Sequence, residues 1–454
     1  MKLIYQVEDK PKFGELVVFA IQQLLAIMAA TLVVPVIVGN GMEPAAALFG
    51  AGVGTLVYVF FTKKKSPVFL GSSFAFLGSM AAAFAGASSV AVGYFGLILG
   101  AIFAGLVYAI IALIVSLVGV DWIDKLMPSV VIGPTVAIIG LSLAGNAVGD
   151  IVTGGVKDAE GAAVASPFAA LICGLVTLGV TMACSVYGKK FGKLIPFIFG
   201  ILAGYAVAAV LTAIGSATGT SSIILLSTEP YKALVADGAG VSTFLTIPTF
   251  TFLTAFGAFS EGISGSYILT ILAAYVPVAF VVFAEHIADH KNISSIIEKD
   301  LLKDPGLHRT LLGDGIGSMV GAFFGGCPNT TYGESIGCVA ITKNASVATI
   351  MAAAIGAILI AFVAPFVAFV NSIPSCVMGG VCMALYGFIA VSGLKMVQAV
   401  DLNKNKNLFV VSVILIAGIG GLTLNFGSVT ITSIACALIL GILTNIMLKN
   451  GPEE

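Results

Sequence analysis

Two acidic side chains sit in apolar surroundings. Glu285 closes the almost unbroken apolar run 268–284, and Glu334 ends the Pro/Thr/Gly-interrupted stretch Cys327-Pro-Asn-Thr-Thr-Tyr-Gly-Glu334 between two apolar segments. A carboxylate at the centre of a membrane helix costs at least ~2.5 kcal/mol, so one that is kept there ordinarily faces a substrate, an ion pathway or a partner group. Asp289 follows Glu285 by four residues, which sets both carboxyls on one helical face. Two negative charges held that close in a poorly solvated setting repel, and the pair is expected to share one transferable proton. Glu334 follows extended residues and opens a helix, where a carboxylate also complements free N–H groups and the helix dipole. Asp314, after Gly313, is a further buried-acid candidate, for helix–helix bonding or for transport. Of the three histidines, His286 points about 100° away from Glu285 around the helix and is expected to bond between helices. His290 and His308 are placed in the solvated inner loop, whose 291–309 stretch mixes charges.

The elements that position these groups follow from composition. The chain has 454 residues, 59% hydrophobic and 9% charged, with a formal net charge of -1 and a mean hydropathy of +1.11. Repeated apolar runs of about 20 residues make it an all-α polytopic membrane protein. A transmembrane β-barrel is excluded, because its strands would read as short alternating segments. Fifty-four glycines suit close helix packing, as in Gly50-x-x-x-Gly54 and Gly317-x-x-x-Gly321. The seven cysteines form no C-x-x-C pair and lie mostly in apolar segments, so they read as small packing residues. With no phosphate-binding loop, no metal-ligand spacing and no nucleophile–base grouping, neither an ATP-driven pump nor an enzyme is expected. No basic patch points to nucleic acid, and no metal or cofactor is expected beyond an ion gradient.

Runs and breakers predict helices near 14–38, 44–62, 74–86, 92–119, 125–147, 165–187, 194–215, 264–290, 309–325, 333–342, 346–370, 376–394, 407–424 and 428–448. The third and tenth are too short to cross a bilayer alone. With the N-terminus inside, 19 of the 21 basic residues fall in inner segments and only Lys157 and Lys232 outside. That asymmetry predicts cytoplasmic N- and C-termini.

The third and tenth segments share a design. Ser66-Pro-Val-Phe-Leu-Gly-Ser-Ser-Phe-Ala-Phe76 and Pro328-Asn-Thr-Thr-Tyr-Gly-Glu334 each run from Pro through small hydroxyl residues to an aromatic and then a short helix. Extended backbone survives at membrane depth only where its amides find partners. Each stretch is third in its set of seven, and short, interrupted segments in matching positions of two halves point to a transporter site. Paired with each other, the two would aim two helix N-termini inward, with N–H groups free for a small polar ligand.

At these residues the chain resembles the nucleobase–cation symporter 2 family (the nucleobase/ascorbate transporters), and within it the bacterial uracil permeases. The resemblance rests on Gln22 through Pro35, Gly71-Ser-Ser-Phe-Ala-Phe76, Ala284-Glu-His286, the 299–309 stretch, Pro328 through Glu334, Gly337 with Ala340-Ile-Thr342, Val377-Met-Gly-Gly and Leu385-Tyr-Gly387. It implies fourteen transmembrane segments as two inverted seven-helix repeats. A core domain would comprise 1–119 and 241–370, and a gate domain 120–240 and 371–454. It further implies proton symport of uracil across the plasma (inner) membrane by alternating access, with a possible homodimer; the bilayer and protons would be the other partners. Carried over residue by residue, Glu285 and Glu334 would accept the ring N–H groups. Backbone amides at Phe74, Gly333 and Glu334 would serve the carbonyls, and Tyr332 and Tyr386 would line the site. Glu285, Asp289 and Gln23 are the candidates for proton coupling.

Three departures bear on that reading. Gln22-Gln23 stands where those permeases have Gln-His, Asp289 where they have His, and Glu334-Ser335 where they have Glu-Asn. Xanthine or another purine therefore stays open as the substrate, as does the identity of the coupling group. An anion transporter or channel of related architecture is the more distant alternative, and two acids in the pocket argue against it.

Overall fold

The fold is set by where its glycines let helices touch. In this computed structural model, residues 3–448 are described except 121, 123–127, 158–161, 190, 237 and 427–428. Lys2, Lys125, Lys190 and Lys449 of the charge count, and the starts predicted at 125 and 428, lie outside the described residues. The main elements are α1 (Phe13–Val38), α2 (Pro44–Phe61), β1 (Leu70–Ser72), α3 (Leu77–Ala85), α4 (Val90–Val118), α5 (Ser129–Ser142), α6 (Ala144–Ile151), α7 (Pro167–Tyr187) and α8 (Pro196–Thr218). After short helical turns between 221 and 261 come α9 (Gly265–Ile297), α10 (Leu307–Gly325), β2 (Asn329–Thr331), α11 (Gly333–Thr342), α12 (Val347–Ile360) and α13 (Ala364–Ser372). The chain closes with α14 (Ser375–Val397), α15 (Asn405–Ile419), β3 (Leu424–Phe426), β4 (Val429–Ile431) and α16 (Ser433–Met447). Among the described residues eight helices are long and apolar enough to cross a membrane, counting Ser129–Ile151 as one, and four more are apolar but shorter.

Local chemistry explains the boundaries. Ser89, Ser166, Ser264 and Thr432 each accept a bond from the backbone N–H three residues on, capping α4, α7, α9 and α16. Gly39 and Gly326 end α1 and α10 at φ of 67° and 75°, a conformation that favours glycine.

The structure corrects four expectations. The helix predicted to end at 290 continues to Ile297, because Ile293 and Ile297 extend its buried stripe beneath the polar face. His290 is accordingly buried at 0% exposure rather than solvated in a loop, and His308 is half-buried at the start of α10. The span predicted as 346–370 divides into α12 and α13, with Pro365 in the first turn of the second helix. The predicted helix 407–424 stops at Ile419 before Gly420 and Gly421, and the chain then forms the antiparallel pair β3–β4 ahead of α16.

Helices α1–α4 pack with α9–α12, and α5–α8 pack with α14–α16. In the first group the two glycine motifs meet face to face. A Cβ at Gly54 would stand 2.7 Å from the Gly317 carbonyl oxygen, and one at Gly317 would stand 2.9 Å from that of Gly54. Backbone there touches backbone, as small-residue seams in membranes allow. In the second group Gly133 of α5 and Gly393 of α14 make the equivalent approach.

This seam has a measurable consequence. Gly54→Val drives a side chain into main chain that cannot move away, and is expected to destabilise the fold by roughly 3 kcal/mol, the upper end for overpacking. The check is the unfolding temperature of the detergent-solubilised protein. Gly337→Ala, whose Cβ meets nothing within 4 Å, should melt like wild type. Equal melting of all three proteins would remove the seam from the account.

Candidate functional site

The two interrupted stretches pair with each other. β1 and β2 run antiparallel with Leu70 opposite Thr331, Gly71 opposite Thr330 and Ser72 opposite Asn329. The ladder is extended by Tyr332 N–H donating to the Phe69 carbonyl at 3.2 Å and Ser73 N–H to that of Pro328 at 2.9 Å. Side chains take up the outer edges. Leu70 N–H donates to Thr55 Oγ1 at 3.0 Å and Phe69 N–H to Ser335 Oγ at 2.9 Å. Gln23 Nε2 also donates to Ser335 Oγ. Gly71 is required here, because the Tyr332 ring lies directly over its Cα while the Tyr332 hydroxyl donates to the Ser72 carbonyl at 2.7 Å.

From this pair α11 departs with Gly333 and Glu334 in its first turn, and α9 runs alongside. Between the two helix groups lies a cavity of about 330 Å³. Glu285, Asp289, Gly333 and Glu334 line it from one side, and Leu385, Phe388, Ile389, Ser392 and Met396 from α14 on the other. Ligand sites for small molecules start near 300 Å³, so the cavity suits a compact ligand. Asp289 is oriented by Thr331, whose hydroxyl donates to Asp289 Oδ2 at 2.7 Å. Three carboxyls thus face one small space, and the exposed Lys193 at the rim is the one basic lining side chain among the described residues. The arrangement offers strong acceptors beside the N-terminus of α11. That is a match for a ligand presenting N–H donors next to carbonyl oxygens.

The other sequence-predicted residues stand around this cavity. Phe74 and Tyr386 meet edge to face, ring centroids 5.8 Å apart, and neither is among the lining residues. Tyr332 and Gln23 are buried behind the wall, the one over Gly71 and the other on Ser335. From α14 the sequence names Tyr386 as the lining residue, whereas the cavity wall is Leu385, Phe388, Ser392 and Met396, which recur at helical spacing. Gly337, named from the sequence only for the family resemblance, lies on the cavity wall, where a Cβ would meet nothing and the wall stays open.

Behind α9 lies a second polar cluster with no exposure. His286 Nδ1 is 2.7 Å from Asp314 Oδ2, and its Nε2 is 3.0 Å from Thr310 Oγ1. The Thr310 hydroxyl donates to the Leu307 carbonyl, so it accepts from His286. The His290 ring stacks on that of His286 at 4.0 Å and donates from Nδ1 to the His286 carbonyl. The Tyr58 hydroxyl lies 2.7 Å from both His290 Nε2 and Ser66 Oγ. His286 therefore bonds between helices, and Asp314 turns away from the cavity into this cluster.

The family model described as "Permease family" (Xan_ur_permease) matches residues 14–426. The chain is 37% identical over 455 residues to the "Uracil permease" of Bacillus caldolyticus, covering 100% of this chain and 96% of that one. It is also 37% identical over 456 residues to the "Uracil permease" of Bacillus subtilis (strain 168), covering 99% and 96%. Among solved structures, the transmembrane domain of the cyanobacterium bicarbonate transporter BicA aligns with a TM-score of 0.61 at 13% identity, over 97% of this chain and 100% of that one. A murine Solute Carrier 26 family member A9 anion transporter in the inward-facing state aligns at 0.65 and 12% identity, over 97% and 69%. At such identities the likeness concerns the fold alone.

The cluster behind α9 yields its own test. Removing one member of a buried hydrogen-bonded pair leaves the other unsatisfied, at a cost of about 1–3 kcal/mol. Asp314→Leu is expected to lower the unfolding temperature sharply, and the His286→Leu/Asp314→Leu double variant to recover part of the loss. Independent, additive losses in the two single variants would show that the pair is not coupled.

Proposed function

Since the chain belongs to the permease family (Xan_ur_permease), we propose that it is a secondary transporter importing uracil together with a proton. Its place would be a bacterial plasma membrane, with both termini in the cytoplasm. The observation that carries this reading is the cavity in which Glu285, Asp289 and Glu334 converge beside the first turn of α11. Uracil presents two ring N–H donors flanked by carbonyl acceptors. Glu285 and Glu334 would accept from the N–H groups, and the amides of Gly333 and Glu334 would donate to the carbonyls. Three carboxyls against one rim lysine repel an anion, which favours a neutral base over an anionic substrate. Permease relatives named for uracil at 37% identity support the same choice.

On this reading fourteen segments form two inverted repeats. The group containing α1–α4 and α9–α12 acts as a core that carries the site, and the group containing α5–α8 and α14–α16 acts as a gate. Substrate is reached alternately from either side as one group moves past the other. Asp289 and Glu285 supply the coupling proton, one carboxyl being protonated on the outer side and released inside. Xanthine is the second candidate, kept open because Asp289 stands where the uracil permeases the chain resembles have His.

The test is uptake of radiolabelled uracil into liposomes carrying the purified protein, with and without an inward proton gradient. Gradient-stimulated uptake blocked by unlabelled uracil and not by xanthine is expected; transport of xanthine instead would reassign the substrate. Glu285→Gln replaces a titratable carboxyl by an amide and should lower uptake by roughly 10–100-fold. Undiminished accumulation by that variant would remove Glu285 from the mechanism. Gly337→Val extends a side chain into open space at the wall, and should abolish uptake with unchanged melting.

A further inference from the structure

Far from the acidic cavity, the ends of α1, α2 and α12 that carry Phe13, Phe61 and Val347 enclose a groove of about 600 Å³. Its rim is basic. Lys10, Lys63, Lys64 and Lys65 line it, together with Glu8 and Asp9. Most of the opposing charge is already engaged. Glu8 pairs with Lys299 at 2.7 Å, and that ammonium holds its carboxyl below the usual range. Asp9 Oδ2 accepts the Gln6 N–H at 2.6 Å. Lys65 is taken up by both oxygens of Asp304, at 2.6 and 2.7 Å. No ion pair among the described residues involves Lys10, Lys63 or Lys64.

The backbone holds these cations in place. Residues 3–9 lie along 343–347 as a short parallel strap, with Ile4 N–H donating to the Lys343 carbonyl at 2.8 Å and Val347 N–H to that of Val7 at 3.1 Å. Leu3 and Val7 are buried beneath it. Lys63 and Lys64 both adopt positive φ, 53° and 58°, while their N–H groups close the end of α2 on the carbonyls of Phe60 and Val59. Left-handed backbone costs a non-glycine residue roughly 1 kcal/mol, so glycine would make this turn more cheaply than two lysines. Cations at a helix C-terminus complement its dipole, but Lys65 alone could supply that.

The other wall of the groove is apolar. Leu16 faces Val347, Met351 and Ile355 along α12. The stripe then runs on to Ile355 and Leu359, 47% and 63% exposed. From Val347 to Leu359 the rise is roughly 18 Å, close to the roughly 15 Å of one leaflet's hydrocarbon. A free phosphate or sugar phosphate would leave that track unused.

We propose that this groove binds an anionic phospholipid, its phosphate on Lys10, Lys63 and Lys64 and an acyl chain along the α12 stripe. Basic pockets between transmembrane helices recognise lipid head groups by this combination of charge and apolar contact. The lipid would rest against the strap and the α2–β1 connection, so it would bear on the element that ends in the paired strands. Neither the identity of the transported molecule nor its coupling enters this assignment.

Native mass spectrometry of the purified, full-length protein tests it, titrating phosphatidylglycerol against phosphatidylcholine of the same chains. One phosphatidylglycerol should be retained well above phosphatidylcholine, and glycerol phosphate in large excess should not displace it. Lys63→Gln/Lys64→Gln should weaken retention by roughly tenfold or more, with lipid-free melting unchanged. Met351→Gln should weaken it through the acyl track, and Lys404→Gln/Lys406→Gln should leave it intact. Equal retention of the two lipids by wild type would overturn the proposal without recourse to any variant. So would displacement by glycerol phosphate, or full retention by the Lys63/Lys64 variant.

Discussion

Everything near the site follows from one constraint: main chain that leaves the helix inside an apolar bundle must find hydrogen-bond partners there. Residues 69–73 and 328–332 solve this by pairing with each other across some 260 positions of sequence. Neither stretch can be satisfied by its own half of the chain. Thr55 and Ser335 complete the edges, and both belong to helices already packed against the pair. The helical turn from Phe74 and helix α11 therefore both start from this one fixed point. Their amide ends are aimed by the same ladder that prevents the backbone from being stranded. The site is thus a by-product of satisfying the backbone, given side chains of the right kind.

Helix α9 carries those side chains on two polar faces about 100° apart. Glu285 and Asp289 look into the cavity, while His286 and His290 look into the interior of their own group. The second face anchors the first. With His286 held to Asp314 on α10 and His290 to Tyr58 on α2, α9 has little freedom to rotate. The Asp289–Thr331 bond ties it to β2 as well. A carboxylate pair at the mouth of a pocket needs such support, since a side chain left to itself in a low-dielectric space would turn toward water.

The sequence was informative where one residue type imposes one outcome. Long apolar runs became helices close to their expected ends, and the Pro/Gly/hydroxyl stretches became the paired strands. Glu285 and Glu334 both line one cavity, and Asp289 lines it with them. What could not be read were contacts decided by distant partners. His290 sits in a polar run that resembles a loop, and only Tyr58, 232 positions away, makes it a buried helical residue. The break at 361–363 and the β3–β4 pair depend on Pro365 and on Gly420-Gly421, which punctuate runs too apolar for hydropathy to divide. The α14 lining was periodic in sequence, yet nothing local distinguishes a stripe facing a cavity from one facing lipid.

The two helix groups differ in how they are held, and this bears on how the protein could work. Within the first group, backbone meets backbone along α2 and α10, and buried hydrogen bonds link α1, α2, α9, α10 and α11. Tyr205 and Tyr231 hydrogen-bond to Ser372 at the end of α13, the helix that lies outside both groups ahead of α14. Elsewhere the α14 face opposite the acids is Leu385, Phe388, Ile389 and Met396, with Ser392 the single polar member. At that face, displacing one group past the other would break few hydrogen bonds. Apolar side chains that part company in a bilayer lose packing but gain no water. A rigid, internally bonded body sliding on an apolar face is what the proposed transport cycle requires. On the proposed cycle the acids would lie on the internally bonded side, so that their geometry would be carried through the motion unchanged and only the wall that faces them would be exchanged.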